Sequence, residues 1–253
     1  MREIIRHVLP MACIALVHAA CSSESEHVCA KHAALYNGST DAGDLGVDEQ
    51  SARAVGEVVD DAGPDGFYCT GLLVADQLVI TAKHCVFGGG VRFLVGADAS
   101  RPDGVIDVAE TVPHEALDLA LLVLDEPAVH LATPIPIFND VPNASWIGRD
   151  VIISGFGQQE DGRIGELEFL GERIIRVDAT SITVMGEGES GACLGDSGGP
   201  LLIRDGGGSI AVAGVLSKGS ASCTGIDIYI RLDVVREWLG QAGVASTRGC
   251  ESL

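Results

Sequence analysis

The chain has 253 residues, with 36 Asp or Glu against 16 Lys or Arg and a formal charge of −20. That charge argues against a nucleic-acid partner, since neutralising phosphates needs clustered Lys and Arg, and against electrostatic docking on anionic lipid. A hydrophobic fraction of 47% is enough to form a core, and eight cysteines point to an oxidising compartment unless they bind metal or run redox chemistry.

Residues 1–20 read as an export signal. Arg2 and Arg6 give a positive start, Met11 to Val17 a short apolar core, and Ala19-Ala20 a small-residue end before Cys21. The apolar run falls short of the ~20 residues needed to span a bilayer, and no later segment comes near that length. Ala-Ala-Cys after an apolar run resembles a bacterial lipobox, with His18 a departure from the pattern. Two fates therefore stay open: lipidation of Cys21 with anchoring to the envelope, or plain secretion to the periplasm or beyond. If Cys13 leaves with the signal and Cys21 carries lipid, six cysteines remain, enough for three disulfides. Residues 21–34 are polar and aperiodic, as in a linker or propeptide.

From about Phe67 the sequence reads as short strands divided by Gly, Asp and Pro. The expected strands run over 70–74, 78–81, 91–95 and 119–124. A Pro-rich crossing follows near 125–145, then strands over 151–154, 166–178, 181–185, 200–204, 210–217 and 228–232. Only the end reads helical, with Asp233 as N-cap and Val234, Val235, Trp238 and Leu239 on one face. The pattern is all-β with one C-terminal α-helix, hence a barrel or sandwich.

Three local motifs carry chemistry: Thr81-Ala82-Lys83-His84-Cys85, Asp118-Leu119-Ala120-Leu121, and Gly195-Asp196-Ser197-Gly198-Gly199-Pro200. Acyl transfer by a hydroxyl needs a base within reach and a carboxylate to fix the base's tautomer. Glycines beside the nucleophile let backbone N–H groups converge on a developing oxyanion. In this order the motifs resemble the chymotrypsin/trypsin-like serine proteases, over nearly all of residues 35–253.

The resemblance implies two six-stranded antiparallel β-barrels with the site between them. It makes His84 the general base, Asp118 its orienting carboxylate and Ser197 the nucleophile, with the N–H groups of Gly195 and Ser197 as oxyanion hole. It also implies bridges Cys69–Cys85 and Cys193–Cys223, leaving Cys29 and Cys250 as the remaining pair. The pocket position six residues before Ser197, an Asp in trypsin-like members, is Gly191, whereas Asp227 stands where Gly is usual. Family members with this exchange have broad specificity that includes basic residues. A displaced charge at Asp227 would thus favour Arg or Lys at P1 (the substrate residue before the cut), unless the side chain points to solvent and the pocket is apolar. Gly219 keeps the pocket mouth open, and Ser217 to Gly219 would pair with the substrate backbone. Lys218 stands where an aromatic is common, and Lys83 reads as a surface charge.

In this family a new N-terminal amine folds inward and pairs with the Asp before the nucleophile. Leu35-Tyr36-Asn37-Gly38 resembles the usual start, so cleavage between Ala34 and Leu35 would pair Leu35 with Asp196. No metal or organic cofactor is implied, and a peptide or protein substrate and a monomer are expected. Two other functions stay open: a non-catalytic binding module on this fold, or an esterase using the same triad.

Overall fold

The computed structural model describes residues 35–64 and 68–241. The signal at 1–20, the propeptide at 21–34, Cys21 and the Cys29–Cys250 pair lie outside the described residues.

Two closed six-stranded antiparallel barrels hold the described strands. The first comprises β1 (Val55–Asp60), β2 (Cys69–Ala75), β3 (Leu78–Thr81), β4 (Val91–Val95), β5 (Gly104–Pro113) and β6 (Ala120–Leu124), in the order β1-β2-β3-β6-β5-β4. β4 pairs back on β1 with Phe93 opposite Val58. The second comprises β7 (Asp150–Gly155), β8 (Glu168–Val177), β9 (Ser181–Met185), β10 (Pro200–Arg204), β11 (Ile210–Lys218) and β12 (Ile226–Arg231), in the order β10-β11-β12-β9-β8-β7. It closes where β10 meets β7, with Leu201 opposite Ile153. Closure leaves no sheet edge in either unit. β4 shows the period of a half-buried strand, with Val91, Phe93 and Val95 inward between Arg92 and Leu94. β2 and β3 are buried almost throughout, and accordingly their sequences are nearly continuous apolar runs.

The expected strands all appear, within a few residues at their ends, but β1 and β5 were not anticipated. Charge disguises β1, because Glu57 and Asp60 are buried within it. Asp60 has a clear use there: its carboxylate accepts the N–H groups of Ala62, Phe87, Gly88 and Gly89 at 2.6–3.1 Å and ties the loop before β4 to β1. β5 is largely exposed and interrupted by a bulge, so its apolar alternation is faint.

The C-terminal helix also differs from its expected form. A short 3-10 turn at Asp233–Val235 precedes the α-helix Arg236–Gln241. Asp233 is not the N-cap; its carboxylate receives the Arg231 guanidinium at 2.8 and 2.9 Å instead. Val235 and Leu239 are buried, whereas Val234 is exposed. A charged partner two residues back outcompetes the capping role, because a bidentate Arg–carboxylate pair is the stronger interaction.

The crossing runs along the second barrel. Ile137 bridges Val212 in β11, with the Val212 N–H donating to Pro136 O at 2.9 Å and the Phe138 N–H donating to Val212 O at 2.8 Å. The barrels are stitched again where Leu167 N–H donates to Ala97 O at 2.9 Å and Ala99 N–H donates to Gly165 O at 2.7 Å.

The second barrel also buries a carboxyl with no partner. Glu172 in β8 is 4% exposed and neither side-chain oxygen has a hydrogen bond. Burial, with Asp227 adding repulsion, pushes its pKa up to about 9 from 4.5. Between those values the folded chain holds a proton that the unfolded chain has lost. Stability therefore falls with rising pH, by about 1.4 kcal/mol per unit for one proton. Glu172→Gln is expected to reduce that slope by about one proton and to raise the urea midpoint at pH 8 more than at pH 5. Parallel stability–pH curves for the two proteins would contradict this.

Candidate active site

His84 sits in a 3-10 turn, Lys83–Cys85, directly after β3. A disulfide joins the neighbouring Cys85 to Cys69 at the start of β2, with 6.0 Å between the Cα atoms. Lys83, read as a surface charge, is exposed and donates from Nζ to His114 O at 2.9 Å, which ties this turn to the end of β5. Asp118 lies just before β6 and grips His84 twice: Nδ1 is 2.8 Å from Oδ2, and the His84 N–H donates to Oδ1 at 3.0 Å. Ser217 on β11 donates from Oγ to the same Oδ2 at 2.6 Å. Burial would raise the Asp118 pKa, but the donors from His84 and Ser217 outweigh it and hold the carboxyl at about 2. The carboxylate is thus ionised throughout the neutral range and aligns one ring nitrogen of His84, leaving Nε2 for another partner.

Ser197 occupies the glycine-rich loop that feeds β10. Its carbonyl accepts the Thr70 N–H at 2.8 Å, and Thr70 Oγ1 donates to Gly195 O at 3.0 Å. The Thr81 hydroxyl completes this floor by donating to Thr70 O at 2.8 Å. Glycine is required at 198, where φ is +84° and a Cβ would come within 2.1 Å of Thr81 Oγ1 and 2.3 Å of Thr70 O. Gly195 also has positive φ, +101°. Neither the Gly195 nor the Ser197 N–H finds an acceptor among the described residues. Ser197 Oγ and His84 do not close a hydrogen bond; Cys85, beside His84, reaches Ser197 O with Sγ at 3.7 Å. Such bonds commonly tighten only when substrate is bound.

Asp227 is fully buried, which removes the alternative in which it points to solvent. It lies against both glycines expected in the pocket: a Cβ on Gly191 would be 3.1 Å from its Oδ2, and one on Gly219 would be 3.1 Å from its Oδ1. The Ala192 N–H donates to it at 2.8 Å and the Ser220 N–H at 3.4 Å. Burial raises its pKa to about 6 despite those donors. The Cys193–Cys223 disulfide closes the loop around this wall. Lys218 is exposed.

Leu35 is 1% exposed, and its N–H donates to Glu168 Oε2 at 3.0 Å. Tyr36 pairs with Gly191, its N–H donating to Gly191 O at 3.1 Å. Asp196 is buried and accepts the N–H groups of Gly157 at 2.9 Å and Cys193 at 2.8 Å. Leu35 and Asp196 are therefore not joined in the intact chain. Burial lifts the Asp196 pKa to about 8, the two backbone donors notwithstanding.

Among the described residues one cluster has metal-ligating residue types, Cys69, His84 and Cys85. Both sulfurs are committed to the disulfide and His84 to Asp118, so these residues do not make a metal site. The two disulfides fit an oxidising, exported setting.

Sequence reasoning missed Thr70, Thr81 and Glu168. Thr81 opens the histidine motif and Thr70 follows Cys69; both are fully buried, but Thr70 acts on a loop 125 residues away and Thr81 acts through Thr70. Ser217 was expected beside the pocket, pairing with the substrate backbone, and it bonds Asp118.

A family model described as Trypsin matches residues 45–239. Melanization protease 1 of Drosophila melanogaster is 26% identical over 69% of this chain, and the chain spans 58% of that protein's length. The vitellin-degrading protease of Bombyx mori is 27% identical over 68% of this chain and 75% of its own. A solved structure titled "Structure of GrC" has a TM-score of 0.67 at 21% identity, covering 78% of this chain and 97% of that one. This last likeness concerns the fold.

Proposed function

This chain belongs to the trypsin family of serine proteases, and from that premise we propose that it is an endopeptidase acting through an acyl-enzyme on Ser197. The observation that carries the reading is the relay from Ser217 Oγ to Asp118 to His84 Nδ1, at 2.6 and 2.8 Å, beside a loop whose Gly195 and Ser197 N–H groups are free. His84 Nε2 takes the Ser197 hydroxyl proton as Oγ attacks the peptide carbonyl. The two free N–H groups stabilise the oxyanion, and His84 then gives the proton to the leaving amine. Water, activated by the same imidazole, releases the acyl group. Asp118, ionised with a pKa of about 2, stabilises the imidazolium without taking its proton.

Asp227 supplies the negative charge of the P1 pocket, giving a preference for Arg or Lys with relaxed selectivity. Its contact with the Gly191 and Gly219 positions supports this. Cleavage between Ala34 and Leu35 activates the chain, and the new amine compensates the buried Asp196 carboxylate, which would otherwise be costly as an anion. N-terminal sequencing of active protein is expected to begin at Leu35; any other start removes this site of activation.

Fluorophosphonate labelling of cleaved protein tests the catalytic reading. Adduct mass on the peptide holding Ser197, absent in His84→Ala, is expected. Failure to label both intact and cleaved protein would favour a binding module, and ester turnover without peptide cleavage would favour an esterase.

A further inference from the structure

Glu168 is a buried carboxyl that neither the relay nor the pocket uses. It is 0% exposed, its Oε2 accepts the Leu35 N–H at 3.0 Å, and its Oε1 has no partner. The charged groups acting on it are all anionic: Glu160, Asp196 and Glu166. The cation Arg163 is bound to Asp161 and Glu166. Burial and these neighbours raise the Glu168 pKa to about 8 although the Leu35 N–H acts to lower it.

An amide offers Glu168 one N–H and no charge, leaving Oε1 orphaned. Hydrolysis of the bond between residues 34 and 35 adds one water, forming a carboxylate on residue 34 and an amine on Leu35 that takes a proton. The resulting ammonium has three donors and a full charge.

Resting on the activation reading above, we propose that Glu168 is a second receptor for this amine, so that the Leu35 ammonium is held by Glu168 together with Asp196. Glu168 is then a positioning residue. It fixes Leu35, and through the Tyr36–Gly191 pairing it fixes the wall of the P1 pocket. The two carboxylates divide the work: Asp196 borders the nucleophile, whereas Glu168 already holds the nitrogen before the cut. Gly38 must stay small for this, since a Cβ there would lie 2.8 Å from Glu168 Oε2.

The test uses full-length chain carrying a recognition sequence in residues 31–34 for a protease that leaves Leu35 first. Competitive acetylation by acetic anhydride, read by mass spectrometry, gives the pKa of the Leu35 amine without relying on activity. A free α-amine titrates near 8. In cleaved wild type the amine is expected to be at least tenfold protected at pH 8. Glu168→Gln keeps an acceptor for the uncut amide but removes the charge, so the same protection should fall at least fivefold. The alkaline limb of kcat/KM should move to lower pH as well, and Glu168→Asp should restore part of both.

Wild-type reactivity in the Glu168→Gln amine, with an unmoved alkaline limb, would overturn the proposal, as would an unprotected amine in wild type. If protection and its loss are seen but Ser197 does not react with fluorophosphonate, the amine pair stands and the peptidase reading falls. If Ser197 reacts and only Asp196→Asn exposes the amine, the peptidase reading stands and the role of Glu168 falls.

Discussion

Ser197→Ala is expected to lower peptide hydrolysis by about a million-fold, the scale seen when a triad nucleophile is removed. The hydroxyl makes no hydrogen bond with His84 in the free protein, so its loss should leave the relay, the Thr70 floor and the melting temperature nearly unchanged. His84→Ala should cost a similar factor, and the double variant little more, because the pair acts as a unit. A Ser197→Ala protein retaining a tenth of wild-type activity would show that another group does the chemistry. Contaminating protease is excluded by requiring the residual activity to survive titration with fluorophosphonate.

Asp227→Ala should produce the second largest effect, a fall of about a hundredfold in the Arg-to-Leu ratio of kcat/KM, as expected on removing one side of a buried charge pair. Acidification should mimic it. Burial raises the Asp227 pKa to about 6. On the proposed specificity, above that value the carboxyl is charged and should hold a cationic side chain, whereas below it the carboxyl takes a proton and the preference for Arg should be lost. The relay and nucleophile are common to both reactions and cancel in the ratio, so a step in selectivity near pH 6 reports Asp227. An unchanged Arg-to-Leu ratio in Asp227→Ala would remove the specificity assignment and leave the triad untouched. The formal charge of −20 should also draw cationic peptides toward the protein, an attraction that added salt weakens.

What could be read from the sequence was whatever the chain states locally. The His84, Asp118 and Ser197 motifs each span a handful of residues, and strands such as Val91–Val95 carry their period within themselves. β1 was illegible because its buried Glu57 and Asp60 read as surface charges, and chiefly the distant loop at 87–89 explains Asp60. The same holds at the site. Glu168 meets Leu35 across 133 residues, and Ser217 meets Asp118 across 99. No spacing rule connects such pairs; barrel closure does. Asp233 shows the reverse error, in which a local capping rule lost to a stronger local partner, Arg231.

The most direct measurement is cleavage of a peptide library by protein processed to begin at Leu35, with Ser197→Ala protein as control. Cleavage after Arg and Lys, with weaker cutting elsewhere and none by the control, is the result predicted. Intact peptides in both arms, with Ser197 unlabelled by fluorophosphonate, would contradict it.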